Sequence, residues 1–160
     1  MFFPRVVRLD ESDVRVYETA AVAGEWAVPG AFVFLEVDVE RASGKVREAF
    51  RHGFLGTESF GWSTLVQVEE ITLAEYASVV ERLAQLFVQR FKAPTIDAAR
   101  EMAQEEAAFA VSICEHPRHT LLAVGRTIGD EGIEENFHVV RPPSGLDHEK
   151  VKIWKMVEDE

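Results

Sequence analysis

The segment from Thr72 to His116 constrains the fold more than any other part of the chain. Tyr76, Val79, Val80, Leu83, Phe87 and Phe91 keep the three-and-four spacing of one helical face, and Thr72 with Glu75 has the form of a capping box at its start. Pro94 interrupts the pattern, Thr95 can cap again, and an alanine-rich helical run follows from Ala98 to Glu115. The spacing predicts helices over about 73–92 and 96–116. So few residues separate them that the two must return antiparallel, as a helical hairpin.

Such a hairpin needs an apolar layer to cover. Residues 2–9 and 14–18 read as strands around the turn-forming Asp10-Glu11-Ser12-Asp13. Phe32-Val33-Phe34-Leu35-Glu36-Val37-Asp38-Val39 reads as a third strand, bulky on both faces and therefore central, with Pro29-Gly30 at its ragged start. Val46, Ala49, Phe50 and Phe54 favour a short helix ending near Gly53 or Gly56, although Val46, Phe50 and Phe54 also share one side of a strand. Trp62 to Ile71 is a further strand, and Thr120–Ile128 with Ile133–Arg141 flanks Gly129-Asp130-Glu131-Gly132 as a β-hairpin. The expected fold is α+β, a mainly antiparallel sheet with the helical hairpin packed on one face. With 160 residues, 47% of them hydrophobic, the chain can bury one substantial core, so residues 1–160 are expected to form a single domain. Residues 142–160 are expected to be a C-terminal extension: Val151, Ile153, Trp154 and Val157 would dock as a strand or helix, and Glu158-Asp159-Glu160 would fray.

Charge then excludes partners. Seventeen Lys and Arg stand against 28 Asp and Glu, a formal net charge of −11. Nucleic acid and anionic membranes both need clustered cations, which this distribution does not supply. A single cysteine, Cys114, rules out an intramolecular disulfide and fits a reducing cytoplasm. Asp10, Glu11 and Asp13 follow the N-terminus too closely for a signal peptide, and the apolar stretch from Trp26 to Leu35 is too short to span a bilayer. The expectation is a soluble cytoplasmic protein.

Familiar catalytic signatures are missing. No Gly-x-Gly occurs, so there is no dinucleotide fingerprint. Gly44-Lys45 lacks both the first glycine of a phosphate loop, where Val39 stands, and its hydroxyl residue, where Val46 stands. Gly61-Trp62-Ser63-Thr64-Leu65 ends on leucine where a nucleophile elbow needs glycine, and His148-Glu149 has no second histidine in register. No cofactor is expected.

Three groups of residues remain as candidates. Glu106 falls on the helical face that carries Ala99, Met102, Ala103, Ala110 and Ile113, where a carboxylate is costly to ionise and its pKa rises. It is therefore either a catalytic acid/base or a structural carboxylate bonded to an arginine or an amide. The stretch His52 to Thr64 interleaves glycines with Phe54, Phe60 and Trp62 and adds Glu58 and Ser63. It can line a ligand, with aromatic faces and a few polar groups, or its aromatics can simply fill the core. Cys114, His116 and His119 are chemically able to bind a metal, with His52 or His138 as a distant fourth ligand. Their spacing matches no established site, so the expectation is no metal, with Cys114 a small buried side chain.

The segments Gly24-Glu25-Trp26-Ala27-Val28-Pro29-Gly30-Ala31-Phe32, Gly53-Phe54-Leu55-Gly56 and Ser59-Phe60-Gly61-Trp62-Ser63-Thr64-Leu65 resemble an uncharacterised family of small bacterial proteins with no assigned activity. The resemblance implies a bacterial single-domain protein and carries over no catalytic residue. Two functions follow as expectations. One is a non-enzymatic accessory or binding module for a partner protein or small ligand, acting as a homo-oligomer. The other is a small-molecule enzyme with Glu106 as acid/base in a pocket between sheet and hairpin.

Overall fold

The computed structural model describes residues 1–141 and 155–158. Along the chain run β1 (Phe2–Val7), α1 (Ser12–Val16), β2 (Ala27–Val28), two 3-10 turns (Ala31–Phe34 and Val39–Arg41), α2 (Gly44–His52), β3 (Phe54–Gly56), β4 (Trp62–Ser63), β5 (Leu65–Glu70), α3 (Leu73–Arg90), α4 (Ile96–Ser112), β6 (Leu121–Gly129), β7 (Gly132–Arg141) and β8 (Lys155–Glu158). The strands form a five-stranded sheet, in the order β1-β5-β6-β7-β8, and a three-stranded sheet, in the order β2-β3-β4. All their pairings are antiparallel, and the fold is α+β.

Local signals account for the hairpins. Thr72 Oγ1 accepts from the Glu75 amide at 3.1 Å and Glu75 Oε1 accepts from the Thr72 amide at 3.0 Å, so the capping box that starts α3 is complete. Thr95 Oγ1 caps α4 by accepting from the Ala98 amide at 3.0 Å. The two helices lie antiparallel, with Ala99, Ala103, Ala107 and Ala110 fully buried in a line along α4. Against them α3 buries Val79, Val80, Leu83, Leu86 and Phe87, each contributing about 1.5–3 kcal/mol of apolar transfer. Phe3 of β1, Val28 of β2 and Leu55 of β3 belong to the same core, which fixes the helical pair on the strands. Gly129 pairs with Gly132 across Asp130-Glu131, as the β6–β7 hairpin signal requires. The expected short helix is α2, capped at its end by Gly53.

Two expected strands are absent, and a third divides. Residues 14–18 form no strand: Ser12–Val16 is α1, opened by the Asp10 carboxylate accepting from the Ser12 amide at 2.8 Å. Asp13 and Tyr17 both reach Thr64, at 2.7 and 2.8 Å. One helical turn brings such a pair within about 6 Å, whereas a strand would hold their backbones about 13 Å apart. Phe32–Val39 is not a central strand either. After Gly30 the chain tightens into 3-10 turns, sending Phe32 onto Phe87 and Phe91 of the helical hairpin and Phe34 onto Phe50 and Trp62. Aromatic packing in two directions overrides the β-propensity of the run. Trp62 to Ile71 splits at Thr64 into β4 and β5, one for each sheet.

Of the C-terminal extension, Lys155–Glu158 pairs with β7 as a strand. Glu158, expected to fray, is the last residue of β8, while Val151, Ile153, Trp154, Asp159, Glu160 and the His148-Glu149 pair lie outside the described residues. Among the described residues, no helix is long and apolar enough to cross a membrane.

Candidate functional site

Pro29 and Gly30 begin a strap that is tied both to α4 and to β6. Gly30 adopts φ +82°, and a Cβ there would meet Leu55 Cβ at 2.7 Å and Trp62 Cζ3 at 3.2 Å, so only glycine fits. Two side chains fasten the strap from opposite sides. Glu106 of α4 accepts from the Gly30 amide at 2.8 Å, and Arg126 of β6 donates to the Pro29 carbonyl. Arg126 also donates through Nε to Glu135 at 2.8 Å and through Nη1 to the carbonyls of Phe50 at 3.0 Å and Gly53 at 2.8 Å. Its guanidinium thereby satisfies the C-terminal end of α2 and the strap together.

Glu106 is half-buried, at the border of the alanine line rather than among fully buried residues, and Met102, one turn earlier, is 39% exposed. Burial pushes the Glu106 carboxyl up to about 7; the Gly30 amide lowers it, Glu135 raises it and Arg126 lowers it. Its ordinary value is 4.5, so between those limits the folded chain binds the proton that the unfolded chain has released. Stability contributed by the protonated form is complete below the ordinary value and is lost as pH rises to about 7. The neutral amide in Glu106→Gln still accepts from Gly30, so this variant should be about 1–3 kcal/mol more stable than the parent at pH 8 and equal to it near pH 4. Urea unfolding at the two pH values measures this, and an equal difference at both would contradict it.

Beyond Gly30 the strap runs past Met102 and encloses a groove of about 310 Å³ against the ends of the helical hairpin. Phe32, Val33 and Val37 form one wall, and Phe87, Phe91 and Met102 the other. The ring of Phe32 lies 4.6 Å from Phe87 and 5.4 Å from Phe91, centroid to centroid. Charge enters the lining at three points only, Glu36, Arg90 and Lys92. Leu35, 73% exposed, stands at the mouth. On the other side of the strap a smaller hollow of about 230 Å³ is lined in part by Val33, Phe34, Val46 and Trp62.

The aromatic stretch expected to line one ligand is divided among several environments. Phe54 is fully buried, and Ser63, also buried, donates to the Leu65 carbonyl at 2.7 Å. Trp62 packs across Gly30 and Gly53 and faces the smaller hollow. Glu58 is exposed, with Arg82 at 3.4 Å. Phe60 lies under two guanidinium groups, Arg82 at 5.2 Å and Arg90 at 5.8 Å from its ring centre. Glu106 and Trp62 are linked through Gly30, each touching it from a different side.

Sequence reasoning missed the residue that shapes this loop. Glu25 accepts through Oε1 from the amides of Glu58 and Ser59, at 2.8 and 2.9 Å, and through Oε2 from the Val22 amide and the Ser59 hydroxyl, both at 2.6 Å. Arg126 was also missed, although it sits in register with the inward-facing Leu122 and Val124 of β6.

Cys114, His116 and His119 are not drawn together around one point. Cys114 is buried in the sheet core, and burial pushes its thiol up to about 12. His119 Nδ1 lies 2.8 Å from Glu69, whose other oxygen accepts from Arg118 at 2.9 Å. His52 Nδ1 is 3.3 Å from the Val124 carbonyl. Among the described residues, no three or more His, Cys, Asp or Glu side chains are grouped to hold a metal ion.

Fold and site together define a small α+β domain with an apolar groove between an irregular strap and a helical hairpin. The chain belongs to the family of unknown function DUF6505, whose model matches residues 1–156. Neither the curated proteins nor the solved structures gave a match.

Proposed function

We propose that this protein is a non-enzymatic binding module whose site is the groove between the strap and the ends of the helical hairpin. The observation that carries this reading is a concave, largely apolar space of about 310 Å³, with aromatic walls and a few charges at its rim. Ligand sites of this kind begin at about 300 Å³ and take orientation from a few polar groups. The lining also comes from three separate segments, at 32–37, at 87–92 and at Met102, so binding would couple the strap to the hairpin.

The test is a fluorescence titration with N-phenyl-1-naphthylamine, an uncharged apolar probe. A saturable one-to-one enhancement is expected, and Met102→Trp, which fills the groove from its exposed α4 wall, should weaken it about tenfold or more. Absence of saturable binding, or equal binding by the filled variant, would overturn the proposal.

A second reading, catalysis by Glu106, draws on its carboxyl titrating at about 7. That side chain is not among those lining the groove, and one of its oxygens is engaged by Gly30. Catalysis would require a bound molecule to leave with altered covalent structure, read from its NMR spectrum, and that change to vanish in Glu106→Gln.

A further inference from the structure

We propose that the groove selects a free amphipathic anion, an apolar chain or ring system ending in a carboxylate, with Arg90 and Lys92 holding the charged end. This rests on the reading of the groove as a binding site.

In a chain of net charge −11, the groove lining reverses the balance, with two cations and the single carboxylate of Glu36. Neither the Arg90 nor the Lys92 side chain makes a hydrogen bond or salt bridge among the described residues, whereas neighbouring Arg82 is engaged with Glu58, donating to its carbonyl at 2.9 Å. A helix C-terminus attracts cations, and Arg90 and Lys92 flank the end of α3. The negative pole of a helix amounts to about half an elementary charge and Glu36 adds one more, so the two cations still leave about half a positive charge for a ligand.

Backbone geometry at this end of the groove points the same way. Lys92 has φ +55°, the left-handed conformation that closes helices and ordinarily falls to glycine. A lysine there carries backbone strain that a glycine would not. Phe60, also at φ +55°, places its ring beneath the Arg90 guanidinium. Of the three non-glycine residues with positive φ among those described, Lys92 is one of the two cations and Phe60 touches the other, together with Arg82. Phe60 is a positioning residue: it holds Arg90 without lining the groove. A free molecule is favoured over a lipid headgroup in a bilayer because the net charge of the whole chain repels an anionic surface.

Isothermal titration of the full chain at pH 8 with decanoate, decan-1-ol and decylamine tests the assignment. Decanoate is expected to bind about tenfold more tightly than decanol, and decylamine more weakly than either. Arg90→Gln should lower decanoate affinity several-fold. Lys92→Gly should do the same while raising the urea midpoint, because it relieves the backbone; a purely structural lysine would show the second effect without the first. Equal affinity for decanoate and decanol would overturn the anion assignment and leave the groove standing. No binding of any of the three would overturn both. Sedimentation of the protein with anionic phospholipid vesicles, lost in Arg90→Gln, would overturn the assignment of a free ligand.

Discussion

Arg126→Met should destabilise the protein by about 3–5 kcal/mol, a large share of the roughly 5–15 kcal/mol by which native domains are stable. The substitution keeps an apolar stem of similar reach but removes every donor. Left behind are the carbonyls of Pro29, Phe50 and Gly53 and the Glu135 carboxylate, all facing a site that the guanidinium fills with 0% side-chain exposure. Each orphaned carbonyl costs about 1–3 kcal/mol if water does not reach it, and the unpaired carboxylate adds more. Arg126→Lys should rescue little, because one ammonium cannot span acceptors on the strap, α2 and β7 that a planar fork reaches together. Urea unfolding of the three proteins at pH 7 checks this; a loss below about 1 kcal/mol for the methionine variant would show that the strap is held by packing alone.

Glu25→Ala should cost about 2–4 kcal/mol and release the loop from Thr57 to Gly61. One carboxylate satisfies three backbone amides and a hydroxyl there, and charge-assisted bonds of this length are about twice as strong as neutral ones. Removing it exposes amides of Glu58 and Ser59 that have no strand to join. Glu25→Gln should fall between, since its amide keeps one acceptor oxygen and turns donors toward donors. Hydrogen exchange reads the effect directly: protection of the Glu58 and Ser59 amides should drop in both variants, with that of α3 retained relative to the global stability. Because Phe60 lies in the same loop beneath Arg90, loosening it should also weaken binding of an anionic ligand in the groove.

Different parts of this architecture were legible to different degrees in the sequence. Helices α3 and α4 announce themselves because their signals are local: a capping box at Thr72 and Glu75, a second cap at Thr95, and apolar spacing that needs no partner to be read. The β6–β7 hairpin is legible for the same reason, from glycines flanking two acidic residues. Phe32–Val39 misleads because β-branched and aromatic residues favour a pleated surface only where a strand partner exists, and here Phe32 and Phe34 are claimed by α3 and α2 instead. Val14–Glu18 misleads because Thr64, which draws Asp13 and Tyr17 into one turn, lies far along the chain.

The same division holds for the site. Glu106 could be singled out from helical periodicity, and its raised pKa follows from its burial. Its partner, the Gly30 amide, could not be named, since nothing local relates two residues so distant in sequence. Arg126 left a trace in the alternation of β6, where a cation takes the inward place after Leu122 and Val124. Glu25 left none beyond its glycine neighbour. The groove itself is assembled from three separate segments, so its residues read singly as strand, helix end and helix face.

The location of the binding site can be read from amide chemical shifts during titration with decanoate. Shifts should saturate together at Phe32 to Val37, at Phe87 to Lys92 and at Met102. Saturable shifts confined to Glu106, Gly30 and Trp62, or none anywhere in the chain, would contradict that location.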